Sequence, residues 1–393
     1  MNPLRFCLLL CLFAACSRIP EERPAPAEPL ARAAHFLWSK QAPDGGWHSE
    51  THGILRGGGA ITPFVLDVLL QVPPERYTPH PKQVAAALDF VRNHINAAGI
   101  AGLSDPDVME YPHYATAYSL RALIRHGNPA DQPLIRRMAA YLAGQQLAEG
   151  RGIAPDHPAY GGWGFGEQGL PPGQSGHVDL SHTRKVIEAL RLANWEGDTT
   201  FRRVETFLSL LQKRPEDPRP QPNLRMREAG AGRYDGGFYF SSVVGVANKG
   251  KEMPASDTLA AHFRSYATAT CDGVLALLAA GIPPQDPKIR DAMDWLRAHP
   301  RWDRPEGIDP EDPDQWHRVL HYYHLWLRSE VYRQMGEGEG GWQAAVDAML
   351  LAEQREEGSF VNPDGARNKE DDPLLATAMA LRAWLNVRAD SIR

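Results

Sequence analysis

The stretches SKQAPDGGWHS (residues 39–49) and AEQREEGSFVN (residues 352–362) share one spacing at opposite ends of the chain. In the first, Gln41 precedes Gly45 and Trp47; in the second, Gln354 precedes Gly358 and Phe360. Each glutamine closes a run of helical periodicity. Its amide is therefore placed to bond backbone groups left open at a helix end, while the aromatic packs beneath the turn. Degenerate copies follow the same order: Gln145 and Gln146 precede YGGWGF (160–165), and Gln212 precedes YDGGFYF (234–240). The spacing predicts a structural joint used repeatedly, and hence a repeat fold.

Working outward from these joints, the chain is helical throughout from Leu30. Apolar residues recur at helical spacing in Val84, Leu88, Val91 and Ile95, and again in Phe201, Val204, Phe207, Leu208 and Leu211. Gly127 and Gly281 follow such runs as C-terminal caps, and Asp286-Pro287 and Asp372-Pro373 read as a cap with a first-turn proline. Two kinds of helix alternate. Amphipathic segments span 31–41, 80–95, 131–146, 198–214, 285–300 and 341–354. Segments apolar on nearly every side span 60–72, 113–126, 179–193, 263–280, 317–335 and 372–387, and a helix of that kind is buried on most sides. The pattern is all-α: six outer–inner pairs, expected to form an (α/α)6 toroid whose inner helices surround a cavity. An open solenoid of the same pairs is the competitor, because closure leaves no mark on a sequence. Unequal gaps place one insertion near GRGIAPDHPAYGGWGFGEQGLPPGQSGH and a second, irregular or hairpin-forming, across 215–262, with YDGGFYFSSVVGV (234–246) as the candidate hairpin.

The 393 residues, 43 % of them hydrophobic, suffice for a large core, and a net charge of −6 gives no electrostatic reason to expect nucleic acid. The N-terminus sets the compartment. In MNPLRFCLLLCLFAACSR, Arg5 precedes an apolar run from Phe6 to Phe13 that is too short to span a bilayer and reads as a secretory signal over residues 1–15. Its end, LFAAC, resembles a bacterial lipoprotein box, which implies lipidation of Cys16; an ordinary cleaved signal or an uncleaved anchor is the alternative. Ser17 carries no inner-membrane retention signal, so an outer-membrane anchor facing the periplasm is expected. Residues 16–30, rich in proline and charge, read as a tether, and 31–393 as the toroid domain. Cys7 and Cys11 fall in the signal, which leaves Cys271 without an internal disulfide partner.

The glutamine–glycine–aromatic joint after an outer helix resembles the "QW" repeat of squalene–hopene cyclases, oxidosqualene cyclases and protein prenyltransferase β subunits. GGWGF, DLSHTRKVIEALR, GGFYF with RSYATATCDGVLALLAAG, HYYHLWL and GSFVN with DDPLLATAMALRAWL extend that resemblance over residues 31–390. It implies a terpenoid-cyclase-like toroid; it implies the reaction far more weakly. Cyclases of this superfamily protonate an alkene with an acid from a D-x-D-D segment. The nearest match is KEDDP, with Asp371 and Asp372 present but Lys369 in the first acidic position, where it favours the charged form of its neighbours. Asp372 also reads as a helix cap. Prenyltransferases hold zinc with Asp-x-Cys and a distant histidine; Cys271 and His324 are in comparable helices, but Ala269 occupies the aspartate position, so Cys271 reads as inert and no metal or cofactor is expected.

Polar groups on the presumed inner helices mark a wet central pocket, since charge on such helices is costly without partners. The candidates for catalysis are Asp179, His182, Asp272, Asp371 and Asp372. Those for the cavity wall are His113, Tyr114, Trp163, Phe238, Arg264, Tyr266, His321, Tyr323 and His324. Three functions are open: an isoprenoid cyclase or transferase; a non-catalytic lipoprotein binding an apolar, lipid-like or carbohydrate-like ligand; and a glycan lyase or hydrolase, which would need two carboxylates across a cleft.

Overall fold

A computed structural model describes residues 26–215, 234–253, 262–338 and 341–388. The expected signal segment and Cys16 lie outside the described residues. Six outer helices, α1 (Pro29–Ser39), α3 (Pro81–Asn93), α5 (Gln132–Gly144), α7 (Asp198–Leu211), α9 (Pro287–Ala298) and α12 (Trp342–Glu353), alternate with six inner ones. The inner set is α2 (Ile61–Leu69), α4 (Pro112–His126), α6 (Leu180–Leu192), α8 (Ala267–Ala280), α11 (His321–Gln334) and α13 (Pro373–Val387), with a short α10 (Trp316–Val319) ahead of α11.

Local chemistry sets most boundaries. Proline occupies the first turn of α1, α3, α4, α9 and α13, where its missing N–H costs nothing. Asp179, Asp286 and Asp372 cap α6, α9 and α13 with their carboxylates, and Gly127 and Gly281 end α4 and α8 in the left-handed conformation. Two segments differ from the sequence expectation. The 263–280 helix starts four residues later, at Ala267, because His262–Phe263 pairs antiparallel with Glu252–Met253. Residues 234–246 form no hairpin of their own, because their backbone is used in docking: Phe238 N–H donates to Thr270 Oγ1, Tyr239 N–H to the Leu211 carbonyl, and Leu180 N–H to the Phe240 carbonyl.

Each inner helix packs on the next, α2 on α4, α4 on α6, α6 on α8, α8 on α11, α11 on α13, and α13 returns to α2. The ring closes. The glutamine joints weld it. In the four clear copies the amide nitrogen donates to the carbonyl of its own turn glycine and to a carbonyl in the first turn of the next outer helix. Gln41 reaches Gly45 and Gln83, Gln146 reaches Gly161 and Thr200, Gln212 reaches Gly236 and Lys288, and Gln354 reaches Gly358 and Pro29. The aromatic two residues on donates its backbone N–H to a threonine of the inner helix: Trp47 to Thr62, Trp163 to Thr183, Phe238 to Thr270, Phe360 to Thr377.

Gln354 is the clasp, since its partner Pro29 begins the first helix, and Arg32 also donates to its Oε1 at 2.8 Å. Gln354→Ala removes three half-buried hydrogen bonds and is expected to lower unfolding free energy by about 2 kcal/mol in urea titration. A change within about 0.5 kcal/mol would mark a solvated side chain and an open chain end.

Candidate functional site

The inner helices enclose a cavity of about 320 Å3 that opens at their N-terminal ends. Its wall is mainly aromatic: Phe64, Tyr111, Tyr114, Tyr118, Phe165, Phe240, Tyr266, Trp316 and Tyr323, with Ile61, Leu320, Leu375 and Met379 between them. Into this wall are set Asp179, His182, Lys185 and Ser181 from the start of α6 and Asp272 from α8.

Asp179 does two things at once. One carboxylate oxygen caps α6 by accepting from His182 N–H at 2.8 Å, and the other lies 2.8 Å from His182 Nδ1. Burial alone would push Asp179 up, but His182 and the capping bond hold it below the ordinary carboxylate range. A carboxylate acceptor puts a proton on Nδ1. The other ring nitrogen, Nε2, is buried, has no hydrogen-bond partner among the described residues, and sits among the rings of Tyr111, Tyr114 and Phe165 at the cavity wall.

Opposite, the Tyr323 hydroxyl donates to Asp272 at 2.9 Å and sits 2.9 Å from Ser181 Oγ, which in turn meets Tyr114 Oη. Burial pushes Asp272 up to about 6, against the attraction of Arg184, whose Nε lies 2.7 Å from Oδ1. The native state therefore binds this proton more tightly than the unfolded chain. Between pH ~4 and ~6 stability falls with rising pH on account of Asp272. Asp272→Asn is expected to remove that slope from the melting temperature against pH, wild type minus variant; a flat difference across pH 4–6 would show an Asp272 with an unshifted pKa.

One turn below the cavity the ring is sealed by charge. Asp67 accepts from Arg125 at 2.7 Å and lies 3.2 Å from Arg121; Arg121 reaches Glu188 at 2.7 Å; Arg184 bridges Glu188 at 3.0 Å and Asp272 at 2.7 Å; Arg382 meets Glu330 at 3.0 Å. Burial raises the carboxylates, yet the guanidiniums win and hold Asp67, Glu188 and Glu330 below their ordinary range. These groups account for most of the charge on helices that are otherwise apolar or weakly polar.

At the mouth the sign is positive. Lys249 Nζ stands 4.1 Å from the Phe240 ring centre and 5.1 Å from that of Trp316, and burial lowers it to about 8. Lys369 lies 5.4 Å from the Tyr111 ring, and Arg367 pairs with Asp314 at 2.9 Å.

Of the residues singled out in the sequence, Tyr114, Asp179, His182, Tyr266, Asp272 and Tyr323 meet at this cavity. The others do not. Trp163 and Phe238 are core residues of the joints, the Trp163 indole donating to the Leu142 carbonyl and Phe238 packed against Gly273. His113 and His324 point into packed protein, bonded to the Gly164 and Arg301 carbonyls, and burial drives both down to about 3, so they are neutral. His321 pairs with Glu353 at 2.9 Å, and Arg264 lies 3.8 Å from Asp309 near the surface. The acidic segment serves structure: Asp371 meets His52 at 2.7 Å, and Asp372 caps α13 and accepts from Ser49. Glu370, not singled out in the sequence, accepts the Tyr322 and Tyr323 N–H groups at the start of α11.

The prenyltransferase zinc set does not fit this chain. Ala269 offers no ligand, the Cys271 thiol is pushed up to about 12 by burial, and His324 is bonded to a backbone carbonyl. Lys185 and Lys249 are not among the residues singled out in the sequence; the charged run in SHTRKVIEALR was an available signal for Lys185 alone.

No protein-family model and no curated protein matches this chain. Solved structures do match in fold. The type II terpene cyclase MstE from Scytonema superposes with a TM-score of 0.54 at 14 % identity, over 93 % of this chain and 98 % of that one. MstE in complex with geranylgeranyl dihydroxybenzoate gives 0.53 at 14 % identity, over 92 % and 97 %. A family 76 glycoside hydrolase (mannosidase) from Bacteroides thetaiotaomicron gives 0.52 at 11 % identity, over 93 % and 100 %. The chain is an all-α toroid, a fold it shares with the cyclase and with the glycoside hydrolase alike.

Proposed function

We propose that the central cavity receives an elongated apolar molecule of isoprenoid type, its tail among the aromatic rings and a polar or anionic head among the cations at the mouth. The observation that carries this reading is the polarity gradient: nine aromatic side chains line a blind cavity whose rim holds Lys249, Lys369 and Arg367. Apolar wall burying most of a ligand, with a few polar groups at one end, is the general form of a small-molecule site. MstE, a protein of the same fold, carries a geranylgeranyl substrate. The acid segment of the cyclases is used here for helix capping, so alkene protonation is not part of the proposal. Any chemistry would rest on His182 as base and Asp272 as acid.

Calorimetric titration with farnesol tests this, using Met379→Trp to fill the cavity from α13. Saturable binding by the wild type that Met379→Trp weakens at least tenfold supports the reading; equal binding by both proteins, or none, overturns it.

A second reading is favoured by Asp179 and Asp272 lining one cavity with aromatic faces, the elements of glycoside hydrolysis. Release of reducing sugar from mannan by the wild type, lost in Asp272→Asn, would favour it over the first.

The reading extends to export through the N-terminal segment and a lipid on Cys16. Among the described residues no helix is long and apolar enough to cross a membrane. Metabolic labelling with a radioactive fatty acid is expected to mark the wild type and not Cys16→Ala; equal labelling of neither rejects the lipid anchor.

A further inference from the structure

Lys185 lies at the cavity floor with no carboxylate of its own. It is the sixth residue of α6, its side chain is 2 % exposed, and its Nζ stands 3.9 Å from the ring centre of Trp326 and 5.6 Å from that of Tyr118. No ion pair or hydrogen bond holds that nitrogen among the described residues. The charges around it are already matched. Arg121, Arg125, Arg184 and Arg382 supply four guanidiniums to the four carboxylates of Asp67, Glu188, Asp272 and Glu330. A protonated Lys185 would be a fifth cation in a buried, balanced cluster, which is costly. A neutral amine leaves the floor neutral. Burial, reinforced by Arg184, moves this ammonium in the same direction, well below its ordinary range.

We propose that Lys185 is a carbonyl-capturing amine, which forms an imine with an apolar aldehyde or ketone bound in the cavity. The inference rests on the proposed apolar-ligand function and adds a ligand class that enters carbonyl first, its carbonyl at the floor beside Lys185 and its apolar chain toward the mouth, the reverse of an alcohol or acid whose head meets Lys249. The Nζ lone pair attacks the carbonyl carbon as the C=O π pair moves to oxygen. That oxygen takes a proton from Asp272 in its protonated form, which burial keeps populated up to pH about 6, or from the Tyr323 hydroxyl bonded to it. The carbinolamine then loses water, the nitrogen gives up its proton to the same carboxylate, and a C=N bond to Lys185 remains. Aldehyde and amine give imine and water, with no oxidant or reductant. The reaction needs the amine unprotonated near neutrality, which surface lysines are not.

The test uses the full-length protein, the isoprenoid aldehyde farnesal and sodium cyanoborohydride, which reduces the imine to a stable secondary amine. Wild type at pH 7 is expected to carry one farnesyl adduct per chain on the peptide containing Lys185, labelled at least about tenfold faster than any surface lysine. Lys185→Met should lose the adduct and melt no lower than wild type, since it removes a buried polar group. Lys185→Arg should also lose the adduct. Farnesol bound normally while adducts spread evenly over surface lysines in wild type and variant would overturn the inference and leave the cavity function standing. Tight binding of farnesoic acid that needs Lys185, without imine trapping, would show a bound cation instead and also overturn it. Failure of both farnesol and farnesal to bind would remove the two readings together.

Discussion

Replacing Arg121 by alanine is expected to cost the fold about 3–5 kcal/mol, as removal of one partner from a buried ion cluster does. The side chain is 6 % exposed and its two ends serve two helices, Asp67 on α2 and Glu188 on α6. Without it each carboxylate keeps a single guanidinium, Arg125 and Arg184 respectively. A void the size of the lost side chain adds to the cost. The loss should appear in urea titration as a lower midpoint at unchanged slope. A change below about 1 kcal/mol would mean that these charges behave as a surface network, screened and loosely held, and that the floor is wet.

The second large effect belongs to the joint after α5. Gly161 has φ +91°, and a Cβ built there would lie 1.8 Å from the Arg203 carbonyl oxygen and 2.5 Å from its carbon. That oxygen belongs to the backbone of α7 and has no room to retreat, because Gln146 already ties the joint to Thr200 at the start of the same helix. Gly161→Ala is therefore expected to destabilise by more than about 4 kcal/mol and to give mainly insoluble protein. Gly144→Ala is the control: nothing lies within 4 Å of its added Cβ, and it ends α5 in ordinary helical geometry, so stability should hold or rise by up to about 1 kcal/mol. Equal behaviour of the two variants would show that α5 and α7 do not meet through this glycine.

What the sequence disclosed follows from what repeats. Gln41 and Gln354 were legible because the joint needs the same amide, glycine and aromatic each time, and the structure uses them as that spacing implies. Closure was not legible, since it is a meeting of α13 with α1 and α2, residues separated by nearly the whole chain. The site was half legible for a related reason. An inner helix is buried on every side, one face toward the cavity and the other toward outer helices, so apolar periodicity gives no azimuth. His182 and His324 both sit on such helices. One faces the cavity and the other bonds a loop carbonyl.

The azimuth was nonetheless written in the threonines. Thr62, Thr116, Thr183 and Thr377 each accept a backbone N–H from the joint region, and five residues later come Asp67, Arg121, Glu188 and Arg382; the remaining joint threonine, Thr270, is followed at that distance by Leu275. Aligning the inner helices on those threonines would have shown the charged floor, and with it Lys185 lying just above. It would also have exposed a fifth joint, in which Ala101 N–H donates to Thr116 and, with no glutamine present, Asn96 Oδ1 accepts from the Ala98 and Ile100 N–H groups of the turn. The acidic pair Asp371 and Asp372 drew attention through a motif that this chain has turned to capping, with Glu370 holding α11 and Asp372 holding α13.

The claim beneath all of this is that a closed ring of six inner helices holds one blind, aromatic cavity that takes an apolar guest. A crystal structure grown with farnesol tests it most directly. The account predicts continuous density for the chain of the ligand between Phe64, Tyr114 and Tyr323, its hydroxyl toward Lys249, and α13 packed on α2 as here. Side chains filling that space, a ligand seated elsewhere, or a gap between α13 and α2 would contradict it.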